Sequence, residues 1–335
     1  MDTLRSDTSK DTLLNSRMPA GCNALNKHFV FVIGAPRSGT TWLVQMLSDH
    51  PAVASIPQEL TLFSRYVAPW LEHYEMEAQK HEEGAWSLGM PMLYDREEFR
   101  TLLRKLIDGC YERVLARNPE ASHIMDKHPY YSQHLPAIDH VIPHARFIHI
   151  IRDGREVAVS MMSARKRIGF GAKDVRMAAR NWSECVLRAR EQAAKLGPER
   201  YMEIRYEDLM SDPITGLTKA FAFSGLNIGQ DRVRSLAEEY HISKKQLSYG
   251  DFRLNHLRDR PGAIWKERLS LEERYIFDLI AGHLLQELGY ARADWWALTR
   301  KDRLKMTIYS FEQRLLRSVN DLSVIWRSPI AKRIQ

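Results

Sequence analysis

Two apolar runs, an uninterrupted one at residues 29–33 and a second at residues 147–151 that contains His149, are the most strongly patterned parts of the chain. Runs of this length, rich in Val, Ile and Phe, are typical of strands buried on both faces of a parallel sheet. Weaker strand signals occur at residues 53–56 and 201–205. The pattern therefore predicts four strands that are well separated along the chain.

Helices are predicted between these strands, because apolar residues recur there at spacings of three or four. The clearest helix covers residues 174–196, and others cover residues 40–50 and 97–117. A further helix is expected after Ser270, which has capping-box spacing with Glu273. Strands that alternate with helices predict a three-layer α/β fold, in which helices flank a central parallel sheet.

A glycine-rich loop joins the first strand to its helix and reads Gly-Ala-Pro-Arg-Ser-Gly-Thr-Thr, residues 34–41. This glycine spacing lets successive backbone N–H groups surround an anion at a helix N-terminus. A nucleoside triphosphatase has a lysine where this chain has Thr40, and that lysine contacts the β- and γ-phosphates. Here the cation is Arg37, inside the loop. The sequence predicts a P-loop-type fold with an unusual anion-binding loop.

This loop resembles the 5′-phosphosulfate loop of the sulfotransferases that use 3′-phosphoadenosine 5′-phosphosulfate (PAPS). The family's loop reads Pro-(Lys/Arg)-Ser-Gly-Thr-Thr, as do residues 36–41. The resemblance implies that PAPS is the co-substrate and that Arg37 neutralises charge on the departing 5′-phosphate. The residues expected to bind PAPS in this segment are Arg37, Ser38, Gly39, Thr40, Thr41 and Trp42.

A second group of residues resembles the family's site for the 3′-phosphate. Arg152 ends the second apolar run and Ser160 follows eight positions later, which is the family's spacing. A guanidinium fork suits a terminal phosphate. Arg260 and Gly262 resemble a late Arg-x-Gly segment that closes over the same phosphate, and Tyr206 resembles a tyrosine that lies near the adenine in some members.

Three residues are candidates for the chemical step, in addition to Arg37. The resemblance implies an in-line transfer without a metal, which needs a base for the acceptor and cations near the leaving group. Glu59 is the favoured base, because carbohydrate and protein-tyrosine sulfotransferases have a catalytic glutamate in a similar place. Lys127 resembles a lysine that assists the transferring group. His128 replaces the usual hydroxyl residue and is the second candidate base, since imidazole titrates near neutrality.

The expected function is therefore sulfuryl transfer from PAPS to a hydroxyl or amine, an activity of class EC 2.8.2.-. The acceptor stays open between a carbohydrate, a lipid and a small metabolite. One alternative is a P-loop kinase for small molecules, which Thr40 disfavours. The other is a non-catalytic protein that binds adenosine 3′,5′-bisphosphate, which would not need Glu59 and Lys127.

Composition and charge limit the classes of protein to which the chain can belong. The chain has 335 residues, 44% of them hydrophobic and 27% charged, as in a globular protein. The three cysteines lie far apart, which indicates neither a disulfide framework nor a zinc site. Residues 300–335 hold nine Lys/Arg and three Asp/Glu, so this segment contributes +6 of the net charge of +7. No nucleic-acid motif accompanies that charge, and no nucleic-acid partner is expected.

Three segments are expected along the chain. Residues 1–27 form a polar extension that we expect to be disordered, residues 28–295 form the sulfotransferase domain, and residues 296–335 form a basic amphipathic helical tail. Residues 1–27 lack the apolar core of a signal peptide, and no apolar run is long enough to span a membrane. These features predict a cytoplasmic protein.

Two patterns in the sequence, one apolar and one aromatic, each allow more than one interpretation. In the tail, one apolar stripe could dock on the protein's own core, on a membrane surface as a peripheral contact, or on a partner helix. A dense aromatic group between residues 60 and 95 could line an acceptor cleft or belong to the core. The oligomeric state is also left open. The stripe comprises Leu304, Ile308, Phe311, Leu315, Val319 and Leu322, and the aromatic group comprises Phe63, Tyr66, Trp70, Tyr74, Trp86 and Tyr94.

Overall fold

The computed structural model describes residues 23–84, 89–240, 248–249, 252–253 and 264–306. In these ranges, five parallel strands form one sheet with the order β2-β3-β1-β4-β5. A short antiparallel pair, β6 with β7, lies apart from it in the chain. The strands are β1 (His28–Ile33), β2 (Val53–Ser55), β3 (His123–Lys127), β4 (Arg146–Ile151), β5 (Tyr201–Arg205), β6 (Ser248–Tyr249) and β7 (Phe252–Arg253).

Helices flank the five-stranded sheet, as predicted for an α/β fold. They are α1 (Thr40–Leu47), α2 (Ala68–Glu82), α3 (Arg96–Leu115), α4 (Leu135–Val141), α5 (Gly154–Ile168), α6 (Val175–Ala193), α7 (Tyr206–Ser211), α8 (Pro213–Ser224), α9 (Gln230–Glu239), α10 (Ile264–Arg268) and α11 (Leu271–Glu287). Shorter helical turns lie at Ala24–Asn26, Phe63–Val67, Met90–Met92 and Pro129–Gln133. Within the described part of the chain, no helix combines the length and the apolar character that crossing a membrane requires.

The apolar sequence of strand β1 is explained by the two cores that cover its opposite faces. Phe29 and Phe31 pack into a core shared with α3 and α4, while Val30 and Val32 pack into a second core shared with α1 and α8. Successive side chains of a strand point to opposite faces, so a strand covered on both faces must be apolar at every position. The prediction of a central buried strand at residues 29–33 is confirmed.

A third core lies between α5, α6 and α11 and contains Trp182, Trp265 and Trp295. Trp296 and Met306 also pack in this cluster, so its contacts extend past the predicted domain boundary at residue 296. Leu304 is 65% exposed. The rest of the predicted tail lies outside the described residues, and the division into domains stays a prediction.

The sheet contains a strand that the apolar pattern did not predict. Strand β3 reads His-Ile-Met-Asp-Lys, and all five residues are buried. It lacks a continuous apolar run because it contains Asp126 and Lys127. Both side chains are buried, and each forms a hydrogen bond with another side chain. Buried polar groups are tolerated where they are paired in this way, which hydrophobic periodicity does not detect.

The helix predictions were correct in place and differ at the ends. Helix α1 ends at Leu47 and not at residue 50, and α6 covers fewer residues than the predicted 174–196. Asp174 lies outside α6 as its N-cap, because its carboxylate accepts a hydrogen bond from the Met177 backbone N–H. The capping box predicted for Ser270 and Glu273 is present at the start of α11.

Candidate active site

The described residues predicted for the site lie at the carboxyl ends of the parallel strands, and in the loops and helices that follow those ends. Those ends share one edge of the sheet, and ligands of α/β proteins bind in the crevice there. A cleft of about 360 Å³ lies at this edge. The predicted site residues that line it are Arg37, Gly39, Thr40, Thr41, Trp42, Glu59, Arg152, Ser160 and Tyr206.

The glycine-rich loop requires its two glycines. Gly34 has φ +148°, and a Cβ there would lie 2.4 Å from the Ile150 carbonyl oxygen. Gly39 has φ +102°, and its Cβ would lie 2.7 Å from Cδ2 of Tyr206. Both conformations favour glycine, and both distances are too short for a side chain. The loop therefore packs directly against β4 and Tyr206.

Arg37 connects the loop to the residues predicted to hold the 3′-phosphate. Its φ of 75° lies in the left-handed region, which is strained for a side chain of this size. Its Nε donates to Ser160 Oγ at 3.1 Å, and its carbonyl oxygen accepts from Arg152 Nη1 at 3.2 Å. The two predicted groups of donors are thus in contact.

The cleft contains a concentration of positive charge. Burial, together with the nearby guanidinium groups of Arg167 and Arg152, lowers the pKa of Arg37. The carboxylate nearest to Arg152 is that of Glu156, at 4.0 Å, and it also accepts a hydrogen bond from the Trp265 backbone N–H. The charge of the arginines is therefore only partly offset, which favours an anionic ligand.

Two buried donors in this region have no hydrogen-bond partner among the described residues. Ser38 is only 1% exposed and its Oγ is unpaired, and the Nε of Arg152 is unpaired as well. Buried polar atoms are nearly always paired in native proteins, so unpaired donors call for an acceptor at this place. Phosphate oxygens are such acceptors, and the donor set fits a bisphosphorylated nucleotide.

Two aromatic side chains border the same region. The Arg152 guanidinium lies 4.4 Å from the centre of the Tyr206 ring. Trp42 meets that ring edge-on at 5.7 Å, and its Nε1 donates to the Tyr240 carbonyl oxygen at 2.9 Å. Trp42 is 6% exposed, so most of its surface serves the packing of α1.

At the other side of the cleft, Lys127 connects the loop to Glu59. Its Nζ donates to Glu59 Oε1 at 2.6 Å and to Thr41 Oγ1 at 3.1 Å. The lysine side chain is 5% exposed and the glutamate side chain 36% exposed. A carboxylate and an ammonium group therefore lie next to each other at the wall of the cleft, beside the first helical turn of α1.

His128 also contacts this carboxylate. Its Nε2 lies 3.5 Å from Glu59 Oε2, and its Nδ1 lies 3.3 Å from Ser64 Oγ. Burial lowers the pKa of His128 to about 4, against the attraction of Glu59. The imidazole is therefore neutral at neutral pH. Glu59 is among the residues that line the cleft, and His128 is not.

A buried network supports the segment that carries Glu59. Asp126 Oδ2 accepts from the hydroxyls of Tyr111 at 2.7 Å and Tyr131 at 3.3 Å. The Tyr131 hydroxyl also accepts from the Leu62 backbone N–H at 2.9 Å. Thr61, two residues after Glu59, has φ 52°. Tyr131 thus connects the end of β3 to a strained turn beside Glu59.

Not all of the predicted residues are found among those that line the cleft. Arg260 and Gly262 lie outside the described residues. Of the aromatic group between residues 60 and 95, Phe63 and Tyr74 belong to the core, and Trp86 is not described. Tyr66 and Trp70 are exposed and contact each other edge-on. None of the described members is among the residues that line the cleft.

Further residues of the cleft wall were missed by the sequence analysis. Arg167 lies seven positions after Ser160, two helical turns along the same face of α5, so this spacing could have identified it. Phe170 and Arg268 carried no signal. In the described part of the chain, no three side chains of His, Cys, Asp and Glu are grouped so that they could hold a metal ion.

The sequence profile of the sulfotransferase family matches residues 30–230, which is more than half of the chain. This chain belongs to the sulfotransferase family. The matched region contains the glycine-rich loop, the Lys127 segment, and Arg152 with Ser160. The resemblance of the loop at residues 36–41 to this family is confirmed.

Individual relatives are distant. This chain is 26% identical over 201 residues to the protein-tyrosine sulfotransferase of Drosophila melanogaster, in a match that covers 58% of this chain and 37% of that protein. It is 22% identical over 314 residues to the omega-hydroxy-beta-dihydromenaquinone-9 sulfotransferase Stf3 of Mycobacterium tuberculosis, which covers 78% and 75%. The chain thus spans well under half the length of the Drosophila protein. Among solved structures, the sulfotransferase domain from the curacin biosynthetic pathway matches with a TM-score of 0.47 and 20% identity, over 79% of this chain and 98% of that domain.

Proposed function

We propose that this protein transfers the sulfuryl group of PAPS to a hydroxyl or amine of an acceptor. The observation that carries the proposal is the connected set of donors formed by Arg37, Ser160 and Arg152, which adjoins the Lys127–Glu59 pair across one cleft. The first set suits a phosphorylated adenosine, and the second suits proton removal beside a stabilised leaving group. Membership of the sulfotransferase family supports the same activity.

The donor is bound by groups at two points of the cleft. Backbone N–H groups of the loop, with the hydroxyls of Ser38, Thr40 and Thr41, bind the 5′-phosphosulfate. Arg152 and Ser160 bind the 3′-phosphate. Their unpaired donors and their positive charge are the features that support this assignment. We further propose that the adenine lies against Tyr206 and Trp42, and that Arg260 and Gly262 complete the 3′-phosphate site.

The chain supplies a base and two cations for the chemical step. Glu59 accepts the proton of the acceptor hydroxyl, because its carboxylate lines the cleft whereas His128 does not. Lys127 and Arg37 place positive charge where negative charge develops on the transferring and leaving groups. His128 lies beside Glu59, with its Nε2 3.5 Å from Glu59 Oε2, and is the second candidate for the base.

The acceptor side of the cleft favours an apolar or aromatic acceptor. Pro129, Tyr130, Ile168 and Phe170 line the same cleft as Glu59. Apolar walls with a few polar groups are typical of sites for small organic molecules. The relatives are named for protein tyrosine and for a dihydromenaquinone, which both carry a hydroxyl on an apolar or aromatic framework. We propose a lipid or an aromatic small molecule ahead of a glycan.

Binding of the desulfated product tests the nucleotide site. Calorimetry of the full chain with adenosine 3′,5′-bisphosphate is expected to show one site. Arg152→Ala should weaken binding by roughly 100-fold, because a charge-assisted phosphate contact is lost. Arg188→Ala, at an exposed position on α6, is the matched control and should bind like the parent protein. No heat of binding to the folded parent protein would remove the proposal.

Turnover tests the catalytic roles. Transfer of radiolabelled sulfate from PAPS to an extract of metabolites and lipids should reveal an acceptor. Glu59→Gln is expected to lower kcat by roughly 100-fold or more while the affinity for adenosine 3′,5′-bisphosphate changes little. Normal turnover in Glu59→Gln would shift the role of the base to His128. Consumption of ATP with Mg²⁺ in place of PAPS would instead favour a kinase.

A further inference from the structure

The turn between α5 and α6 is a defined and close-packed element, which we call the hairpin tip, residues 165–177. Helix α5 ends at Gly169, which has φ +72°. Gly171 has φ +132°, and a Cβ there would lie 2.2 Å from the Met161 carbonyl oxygen. The turn therefore folds back tightly onto α5. The side chains of the hairpin tip are held on a rigid support.

The hairpin tip is strongly basic. It has five Lys/Arg and one Asp, so its net charge is +4. The single acid, Asp174, is engaged as the N-cap of α6. All five cations are exposed: Arg165, Lys166, Arg167, Lys173 and Arg176. Hence the field at this surface is positive and is not balanced by carboxylates of the hairpin tip itself.

Large apolar side chains are exposed between these cations. Phe170 is 58% exposed, and Ile168 and Met177 are each 38% exposed. An exposed phenylalanine in the middle of a turn contributes little to the protein's own core. The hairpin tip thus presents apolar groups together with a ring of positive charge.

This combination matches the surface of an anionic lipid bilayer. Peripheral membrane proteins insert aromatic and aliphatic side chains between the headgroups while lysine and arginine contact the phosphates. A soluble acidic peptide would satisfy the cations but would offer no apolar layer to the exposed side chains of Ile168, Phe170 and Met177.

The hairpin tip is also part of the cleft. Arg167, Ile168, Phe170 and Gly171 line it, together with Glu59 and Tyr130. A bilayer that contacts the hairpin tip would therefore lie beside the cleft. We propose that the hairpin tip docks the protein on an anionic membrane surface, so that the cleft receives the hydroxyl of a lipid from that membrane. The docking stands on the surface alone, and the statement about the acceptor rests on the proposed function.

Vesicle sedimentation with the full chain tests the docking. The protein should bind vesicles of mixed phosphatidylcholine and phosphatidylglycerol, and bind phosphatidylcholine alone at least about tenfold more weakly. Lys166→Glu with Lys173→Glu should lower partitioning onto the mixed vesicles by at least about tenfold, because two attractions become repulsions. Phe170→Ser should lower it by roughly fivefold through the loss of apolar burial.

Matched controls separate the hairpin tip from the general charge of the chain. Lys105→Glu with Lys195→Glu makes the same change in charge at exposed sites on α3 and after α6. Leu279→Ser removes an apolar side chain that is 67% exposed on α11. Both controls should bind vesicles like the parent protein. The basic segment at residues 300–335 is present in every variant and contributes equally to all.

Three results would overturn the proposal. One is a parent protein that does not bind the mixed vesicles. Another is an equal loss of binding in the hairpin-tip and control pairs, which would reflect net charge only. The third is a combined result. Phe170→Ser binds the mixed vesicles as well as the parent protein does, and a soluble acidic peptide, at the same concentration of negative charge as the vesicles, displaces the protein from them. That result would assign the surface to an acidic protein.

Binding of adenosine 3′,5′-bisphosphate keeps the two proposals distinguishable. Lys166 and Lys173 do not line the cleft, so their charge-reversed variant should bind the nucleotide within about threefold of the parent protein. Vesicle binding without nucleotide binding would support docking and refute the proposed function. Nucleotide binding without vesicle binding would support the proposed function and refute docking.

Discussion

At the scale of single residues, the position of Glu59 depends on groups that do not touch the cleft. Tyr131 holds the Leu62 backbone N–H, three residues after Glu59, and the intervening Thr61 has a left-handed backbone. Burial raises the pKa of Asp126, which accepts hydrogen bonds from both Tyr131 and Tyr111. A strained turn persists only where its surroundings fix it, and here the Tyr131 hydroxyl does so together with the Ser64 hydroxyl, which donates to the Thr61 carbonyl oxygen at 3.2 Å.

Tyr131→Phe is expected to lower kcat by roughly tenfold while the affinity for adenosine 3′,5′-bisphosphate stays unchanged. The substitution leaves the Leu62 N–H without its partner, so the turn that positions Glu59 relaxes. Stability should fall by about 1–2 kcal/mol, since a buried hydrogen bond is lost. Kinetics and urea unfolding measure the two effects.

Tyr111→Phe is the matched control for this prediction. It removes the other hydroxyl that donates to Asp126 but does not touch the turn at Leu62. It should cost a similar stability and leave kcat nearly unchanged. An equal fall of kcat in both variants would mean that Asp126, and not the turn, is what matters for catalysis.

The sequence could identify residues that belong to a local motif, and it could not identify their distant partners. Arg37 and Thr41 follow from the loop alone, because the anion-binding geometry depends on neighbouring residues. The contact of Arg37 with Ser160 joins residues 123 positions apart, and it depends on how α5 packs beside the loop. No spacing rule expresses such a contact.

At the scale of elements, the glycine-rich loop and α1 form a unit that fits closely against α7. Gly39 is the N-cap of α1, and its Cα faces the Tyr206 ring at the start of α7. The loop can keep its shape only while no side chain stands between these two elements. Gly39 is therefore constrained in two ways. It must pack against Tyr206, and it belongs to the loop predicted to bind the 5′-phosphosulfate.

Gly39→Ala is expected to abolish measurable binding of adenosine 3′,5′-bisphosphate and to destabilise the protein by about 2–4 kcal/mol. The added Cβ would lie 2.7 Å from the Tyr206 ring, and the φ of +102° is unfavourable for alanine. Gly84→Ala is the control, because Gly84 has φ +72° with no atom within 4 Å of its Cβ. It should cost only about 1 kcal/mol and bind normally. Similar losses in both variants would contradict the role given to the contact with Tyr206.

The elements that the sequence predicted are those with a regular apolar pattern. Strands β1 and β4 were found because most of their positions are apolar on both faces, and α6 because of its periodic stripe. Strand β3 was missed because its buried polar residues obtain their partners from α3 and from the segment around Glu59. Its end carries Lys127, so the residue was recognised from a family motif while its strand was not.

At the scale of the whole molecule, the order of the strands brings the site together. Strand β1 lies between β3 and β4, so the loop after β1 is next to both Lys127 and Arg152. No local pattern of the sequence predicts this strand order, because each strand could pair with several others. The α/β class was predictable, and the side-by-side placement of the two halves of the site required the tertiary structure.

The pH dependence of stability is also a property of the whole molecule, because several buried histidines contribute. Burial lowers the pKa of both His123 and His128 to about 4, from 6.5. Between these values the unfolded chain binds protons that the folded chain does not. Stability is therefore complete above about pH 6.5 and is lost as the pH falls towards 4, by about 1–2 kcal/mol per histidine at pH 5.

His123→Gln should reduce this loss, and it lies outside the cleft, so the site is left intact. His123 contacts Ser122 Oγ at 2.9 Å and the Ser224 carbonyl oxygen at 3.1 Å, and a glutamine amide can replace such contacts without binding a proton. Urea unfolding at pH 7 and pH 5 should show a difference that is smaller by about 1–2 kcal/mol than in the parent protein. His73→Gln, at an exposed position on α2, should leave the difference unchanged. If the parent protein and both variants lost the same stability between pH 7 and pH 5, His123 would not be held neutral by its burial, and the acid sensitivity would have to come from other groups.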